Sequence, residues 1–355
     1  MKAKEDLRYT STMFSKVHVR HNPLIQMQVV TLHLTTKEEM DMTNPKVKLL
    51  PFADISNYVE GFDIVSTQWG GDGLVYVLLM NQIPERERGM FVQSKLKQSY
   101  TYKVLIVTDQ TIEEVVIWGQ TFNYHYVQPL HDHLLLVGAR CANYGNEKFD
   151  LNAKVCDLDG NTIREFLLGD GIQSVQVTEK GTIWTSYFDE GVFGNYGWSD
   201  PIGSNGLLAW DELGNKVYEN RAADIADCYA LNVVDEKQVW FYFYTDFELG
   251  CISGGISEPD VTFMNPDISG SSGFSTDGYH FLFDAGYGKH GTFVLKKMEK
   301  PGRLSKGQKI DLLNEDGQPF KQARQDFRQH RLLLSESNLL YRVTMEEITS
   351  ASGLD

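Results

Sequence analysis

A single unit recurs six times along the chain, and it restricts the fold more than any other feature. It consists of a semi-apolar run, a polar turn and a strongly apolar or aromatic run. Turn and second run read GGDG-LVYVLL from Gly70, LHD-HLLLVG from Leu130 and TEKG-TIWTSY from Thr178. They continue as VDEK-QVWFYF from Val234, STDG-YHFLFD from Ser275 and FRQH-RLLLSE from Phe327. The second runs begin at Leu74, His133, Thr182, Gln238, Tyr279 and Arg331, in steps of 59, 49, 56, 41 and 52 residues. That spacing, about 51 on average, lies near the ~40–50 residues of a four-stranded propeller blade. A helical repeat would carry a 3.6-residue apolar period, which these runs lack.

Local turn chemistry agrees with hairpins. Asp72-Gly73 and Asp277-Gly278 supply residues that tolerate positive φ. Further strand–turn–strand units fill the gaps: Ala153–Phe166, Leu207–Tyr218 and Tyr102–Trp118 read as outer strand pairs, and Ile172–Thr178 as an innermost strand. The expected fold is therefore all-β, one propeller domain over residues 1–355 with six four-stranded blades. If residues 1–60 formed a blade of their own, the count would be seven. The last blade is short, since Leu339–Met345 is its last clear strand. A segment from residues 1–60 is expected to complete it, with the alternating Leu24–Thr35 as the candidate strand. Closure of this kind removes exposed sheet edges.

The repeats resemble the six-bladed bacterial propellers of the NHL, TolB and lactonase-like superfamily. More narrowly, DEGVFGNYGWSDPIGSNGLLAWDELGNKVY, Asp189–Tyr218, looks like a segment found in bacterial propellers of unassigned activity. The resemblance implies the architecture and carries no activity with it.

Composition narrows the partners. A net charge of −15 argues against nucleic acid as the main partner, because phosphate binding needs a basic footprint. No segment reaches the length of a membrane span, and Met1–Phe14 has no apolar core of a secretory signal. The four cysteines, Cys141, Cys156, Cys228 and Cys251, show no CxxC spacing and read as free thiols of a reducing compartment. A cytoplasmic protein is expected, without a membrane partner.

In a propeller, the loops after each second strand and before each first strand share one face. Three second-strand exits carry an acid just past the apolar run: Asp189, Asp246 and Asp284. Glu190 and Glu248 lie close by, and residues 188–290 hold 17 acids against 4 bases. An acidic mouth could bind a divalent cation such as Ca²⁺ through oxygen ligands or supply acid/base carboxylates, with His290 as a further acid/base candidate. The alternative is plain solvated turn residues. The long 188–206 loop sets Phe193, Tyr196 and Trp198 among glycines, beside Glu190 and Asp200. Those aromatics serve either as a stacking surface for a ligand or as a plug over the blade. His131-Asp132-His133 falls at a hairpin turn of the opposite face. Two basic clusters read as solvated surface: Arg86, Arg88, Lys95 and Lys97, and then Lys300, Arg303, Lys306 and Lys309 with Lys321, Arg324 and Arg328.

Three functions fit. The first is a binding scaffold that seats a protein or small molecule on the face of the 188–206 loop. The second is a metal-assisted hydrolase or lyase using Asp189, Asp246, Asp284 and His290. The third is a carbohydrate-binding module using Tyr196 and Trp198.

Overall fold

A computed structural model of the chain describes residues 20–21, 44–86 and 92–353. Six four-stranded antiparallel blades follow one another in a ring. Blade one is built from Asp63–Trp69, Val75–Met80, Lys95–Val107 and Thr111–Phe122. Blade two takes Tyr126–Leu130, His133–Val137, Ala153–Cys156 and Thr162–Phe166, and blade three Ile172–Val177, Ile183–Tyr187, Leu207–Trp210 and Lys216–Glu219. Blade four comprises Asp227–Val233, Gln238–Tyr244, Glu248–Ser253 and Asp260–Met264. Blade five has Phe274–Thr276, His280–Asp284, Phe293–Lys300 and Gln308–Leu313, and blade six Arg324–Arg328, Arg331–Glu336, Leu339–Thr344 and Pro51–Asp54.

The six strongly apolar runs of the repeat are the six second strands. They lie inside each blade with a neighbouring blade on either face, so both faces of the strand are buried and the run is continuous rather than alternating. Side chains still sort by parity. Val75, Val77 and Leu79 enter the core shared with blade six, while Tyr76, Leu78 and Met80 enter the core shared with blade two. Leu332 and Leu334 face blade five and Leu333 faces blade one. The interior is thus six apolar layers, each held between consecutive blades.

The ring closes where the third strand of blade six meets a strand that precedes blade one. Leu339, Leu340 and Tyr341 pair antiparallel with Asp54, Ala53 and Pro51, and Ala53 is wholly buried against blade one. The closing strand is therefore Pro51–Asp54. The segment 24–35, to which its alternation assigned this place, lies outside the described residues. Just upstream of the closing strand, Lys46–Lys48 runs parallel to the outer strand of blade five. Arg20–His21 pairs with Ile112 and Thr111 of blade one. After Leu339–Thr344 the chain turns into a helix, Met345–Ser352, started by a capping box between Thr344 and Glu347. Met345 and Ile348 of that helix close the core between blades five and six.

Around the axis, each inner strand ties its neighbour through a polar side chain. Gln68 accepts from the Val127 amide at 2.9 Å, and Gln128 accepts from Val177 at 3.2 Å. Gln176 accepts from Val233 at 2.7 Å and donates to Leu231 and Phe327 carbonyls. Asn232 donates to Phe274 and accepts from Gln329. Ser275 donates to the Arg331 carbonyl at 2.9 Å, and Asp326 returns to blade one by accepting from Trp69 at 2.7 Å. Arg328, assigned to the surface from sequence, instead sits at the centre with 1 % exposure and donates to the Val177 carbonyl at 2.6 Å. Arg328 ends an inner strand, which places it at the axis, whereas Arg324 at the start of the same strand stays exposed.

Gln176→Leu keeps side-chain volume but strands one buried amide and two carbonyls. A loss of about 3 kcal/mol follows from the ~1–3 kcal/mol cost of each unmade buried hydrogen bond. Glu179→Leu, in the neighbouring exposed turn, should change stability by less than about 0.5 kcal/mol. Urea denaturation midpoints compare the two, and equal stabilities would show that the axial bonds do not hold the ring.

Candidate functional site

The polar ring and Arg328 fill the axis toward the ends of the inner strands. At the strand beginnings the channel stays open, as a cavity of about 400 Å³ bordered by Ser66, Thr67, Ser174, Tyr229, Gln325 and Asp326. This mouth lies on the face of the second-strand exits. Next to it, sharing Val65, Tyr126 and Gln173, is a larger cavity of about 640 Å³ over blades one to three. Its walls include Ile83, Pro84 and Ile172, and its polar groups include Asn123, His125 and Arg140.

Arg140 organises that cavity. It stands in the exit loop of blade two, where Gly138–Cys141 leaves the second strand. Its Nε and Nη2 donate to the two carboxylate oxygens of Asp170 at 3.0 and 2.9 Å, and its Nη1 donates to Glu190. Tyr196 lies under the guanidinium with its ring centre 4.2 Å from Cζ, and the Phe188 ring is 5.3 Å away. Arg140 and Asp170 are both almost fully buried. Asp170 lies in the link entering blade three and Glu190 in the exit loop of that blade, so the ion pairs pin blade two to blade three. Planar bidentate pairing fixes orientation as well as distance.

His125 precedes the first strand of blade two. Its Nδ1 accepts from the Ala139 amide at 3.1 Å, which leaves the ring proton on Nε2. Burial, helped by the Arg140 charge, pushes its pKa down to about 4. At neutral pH the imidazole is uncharged.

The residues marked from sequence separate into different roles. Asp189 opens the short helix Asp189–Phe193 and is exposed. Its charge reinforces burial in pushing the Asp227 carboxyl up to about 7. Asp246 is exposed in the turn of blade four. Asp284 is wholly buried and spent on its own loop: it accepts from Ser272 Oγ at 3.0 Å, the Gly291 amide at 3.0 Å and His290 Nδ1 at 2.6 Å. Among the described residues no group of three or more His, Cys, Asp or Glu side chains comes together to hold a metal ion. Phe193 is 71 % exposed, Asp200 is exposed, and Tyr196 is half-buried on Arg140. Trp198 is not a stacking surface: it packs into the core between blades one and two and donates Nε1 to the Cys141 carbonyl at 2.8 Å. Of the two uses open to that loop, Trp198 takes the plug. His131 is at a hairpin turn, as its position in the repeat indicates, and pairs with Glu212 at 2.7 Å. All four cysteines are buried and free.

Sequence reasoning overlooked Arg140, Asp170 and His125. The exit GARC offered a signal, since an arginine directly after an apolar strand needs carboxylates to leave solvent. Its partners lie 30 and 50 positions away.

The fold and site define a six-bladed β-propeller with a cavity on its exit face. No family model and no curated protein matches the sequence. Several solved structures are similar in fold. YCF48 from Cyanidioschyzon merolae is 12 % identical, with 80 % of this chain and 81 % of that one covered and a TM-score of 0.44. Virginiamycin B lyase from Staphylococcus aureus is 10 % identical, covers 80 % and 95 %, and gives 0.43. U3-55K is 8 % identical, covers the same shares and gives 0.41. No helix among the described residues is long and apolar enough to cross a membrane.

Removing Arg140 alone leaves Asp170 charged and buried, so Arg140→Met should cost about 3–5 kcal/mol. The double variant Arg140→Met/Asp170→Leu should recover a large part of that loss in urea denaturation. A double variant no better than the single one would contradict a pairing role. For His125, the folded pKa lies below the ordinary ~6.5. Its contribution to stability is therefore complete above about pH 6.5 and is lost as pH falls toward 4, because the unfolded chain takes up the proton first. NMR titration of the His125 Cε1–H should show its inflection near 4; an inflection near 6.5 would mean a solvated ring.

Proposed function

We propose that this propeller is a binding scaffold whose ligand is a small, uncharged, largely apolar molecule held in the exit-face cavity over blades one to three. The observation that carries this reading is the charge balance inside a space of about 640 Å³. Among the described lining residues the buried cation, Arg140, is met by two carboxylates, His125 is neutral, and Arg86 stands exposed at the edge. An ionic ligand would have to break that balance in a poorly solvated place. A neutral ligand would bury its body against Val65, Ile83, Pro84 and Ile172. Asn123, His125 and Gln173 would then fix its polar end, a common composition for a small-molecule pocket.

A second reading has one specific observation in its favour. At the same face Tyr229, Phe247 and Tyr287 form an aromatic cluster, with Phe247 stacked on Tyr229 at 6.2 Å and Tyr287 edge-on at 6.2 Å. Tyr287 is 55 % exposed. Such a rim suits a protein or a sugar chain laid across the mouth.

Ligand-observed NMR with a panel of neutral aromatic and alicyclic alcohols tests the first reading. Ile83→Trp fills the cavity from an exposed position and should abolish saturation transfer, while Tyr287→Ser should leave it unchanged. Binding lost only in Tyr287→Ser would move the site to the aromatic rim, and no binding by any panel member would remove the first reading.

A further inference from the structure

A second cleft, of about 530 Å³, lies away from that cavity. Its walls are the link 265–269 leaving blade four, the exit loop of blade five and the two outer strands of blade five. Lys296 lies within it, on the third strand of blade five, with 6 % exposure. Lys289 and Lys306 stand at its edge, both exposed. Three lysines around one cleft are unexpected in a chain of net charge −15.

The other blades show what a third-strand lysine normally requires. Lys103 of blade one meets Glu114 of its outer strand at 2.9 Å, and Lys154 of blade two meets Glu165 of its outer strand at 3.2 Å. Both lysine side chains are largely withdrawn from solvent, 11 % and 12 % exposed. Each therefore loses water and gains a carboxylate. In blade five the outer strand begins at Gln308, paired with Leu295, and Lys296 lies beside Gly307, just before that strand. No carboxylate of a described residue comes within ion-pair distance of its ammonium. Its one hydrogen bond is to the Ser305 carbonyl, long at 3.3 Å.

Gly307 has a steric reason as well. A Cβ there would strike Val294 and come within 3.2 Å of Lys296 Cε. The glycine keeps open the space beside the Lys296 side chain. The exit loop carrying Lys289 is fixed in turn by Asp284, which binds its residues Gly286, His290 and Gly291. A buried ammonium with N–H groups to spare must find an anion or lose its proton. Burial does hold the Lys296 pKa below the ordinary lysine value, against the opposing charge of Asp267.

We propose that this cleft is a binding site for a small oxyanion, phosphate or carboxylate, with Lys296 as its buried anchor and Lys289 and Lys306 at its mouth. The anion supplies the negative charge that Glu114 and Glu165 supply in blades one and two. The site is independent of the exit-face cavity and stands whether or not that cavity takes a neutral ligand.

Isothermal titration of the full chain with inorganic phosphate, and separately with citrate, tests the proposal. Saturable binding at one site is expected for the better of the two anions. Lys296→Met should weaken it at least tenfold and Lys306→Ser a few-fold, while Lys309→Ser, on the neighbouring strand outside the cleft, should leave it unchanged. Selective ¹⁵N or ¹³C NMR of the lysine side chains gives a second readout: the Lys296 signal should move on adding the better anion, and its pKa should rise. Titration heats equal in wild type and Lys296→Met would mark an adventitious surface ion and overturn the site. No binding of either anion, with the Lys296 signal answering only to Asp267→Asn, would overturn it too, because Asp267 would then be the counter-ion.

Discussion

The structure depends on a hydrogen-bonded ring at its centre. Six inner strands converge there, and a sheet edge left unpaired at the axis would bury bare amides and carbonyls in a place that apolar side chains cannot satisfy. The chain resolves this with one polar side chain per inner strand: Gln68, Gln128, Gln176, Asn232, Ser275 and Asp326, each bonded to the backbone of a following blade. Apolar packing gives each pair of blades its attraction but no fixed angle, since the six layers are similar in composition. The side-chain amides at the axis impose register and angle, because their bonds reach a specified backbone atom. Arg328 adds a bond from blade six to blade three across the axis, so the two halves of the ring are joined as well as adjacent blades.

That division of labour explains what could be read from the sequence. The second strands announced themselves because two-sided burial produces an uninterrupted apolar run, and all six such runs are second strands. Hairpin turns were equally plain, since Gly160 and Gly214 take φ of 83° and 85° after aspartates that bind the turn amides. The closing strand was harder. Pro51–Asp54 has only four residues, one of them proline, and it yields no alternation. Its assignment comes from a partner almost 290 positions distant, for which local sequence holds no trace. The terminal helix was visible in principle as the capping box Thr344–Glu347, but the preceding strand runs straight into it without a turn residue.

The candidate site was legible in position and not in composition. The repeat fixes which loops share a face, so the exit face was available from counting alone. Which residues meet there depends on loop lengths. The 188–206 loop folds back so that Glu190 reaches Arg140 of the previous blade and Trp198 reaches the core between blades one and two. Asp284 looked like a member of an acidic mouth because it follows an apolar run, as Asp189 and Asp246 do. Only its complete burial separates it from them, and burial there follows from the 285–291 loop turning back over it. Carboxylates at equivalent repeat positions thus carry different duties: one braces a loop, one begins a helix, and one remains in solvent.

Third-strand lysines of other blades offer a sharper comparison, because Lys103 and Lys154 each have a carboxylate from their outer strand. In blades one and two the outer strand brings a glutamate to a third-strand lysine; beside Lys296 of blade five stands Gly307, ahead of the outer strand. An exposed lysine would lose little by the change. A lysine with 6 % exposure is left with a long bond to the Ser305 carbonyl and the Asp267 charge beyond ion-pair distance to make its own charge tolerable. Its long stem is buried with it, so the position could hold a leucine or methionine with less electrostatic cost. The retained ammonium beside an open cleft is therefore the costlier of the available choices, and an occupant that restores the missing charge is the physical condition under which that choice becomes stable.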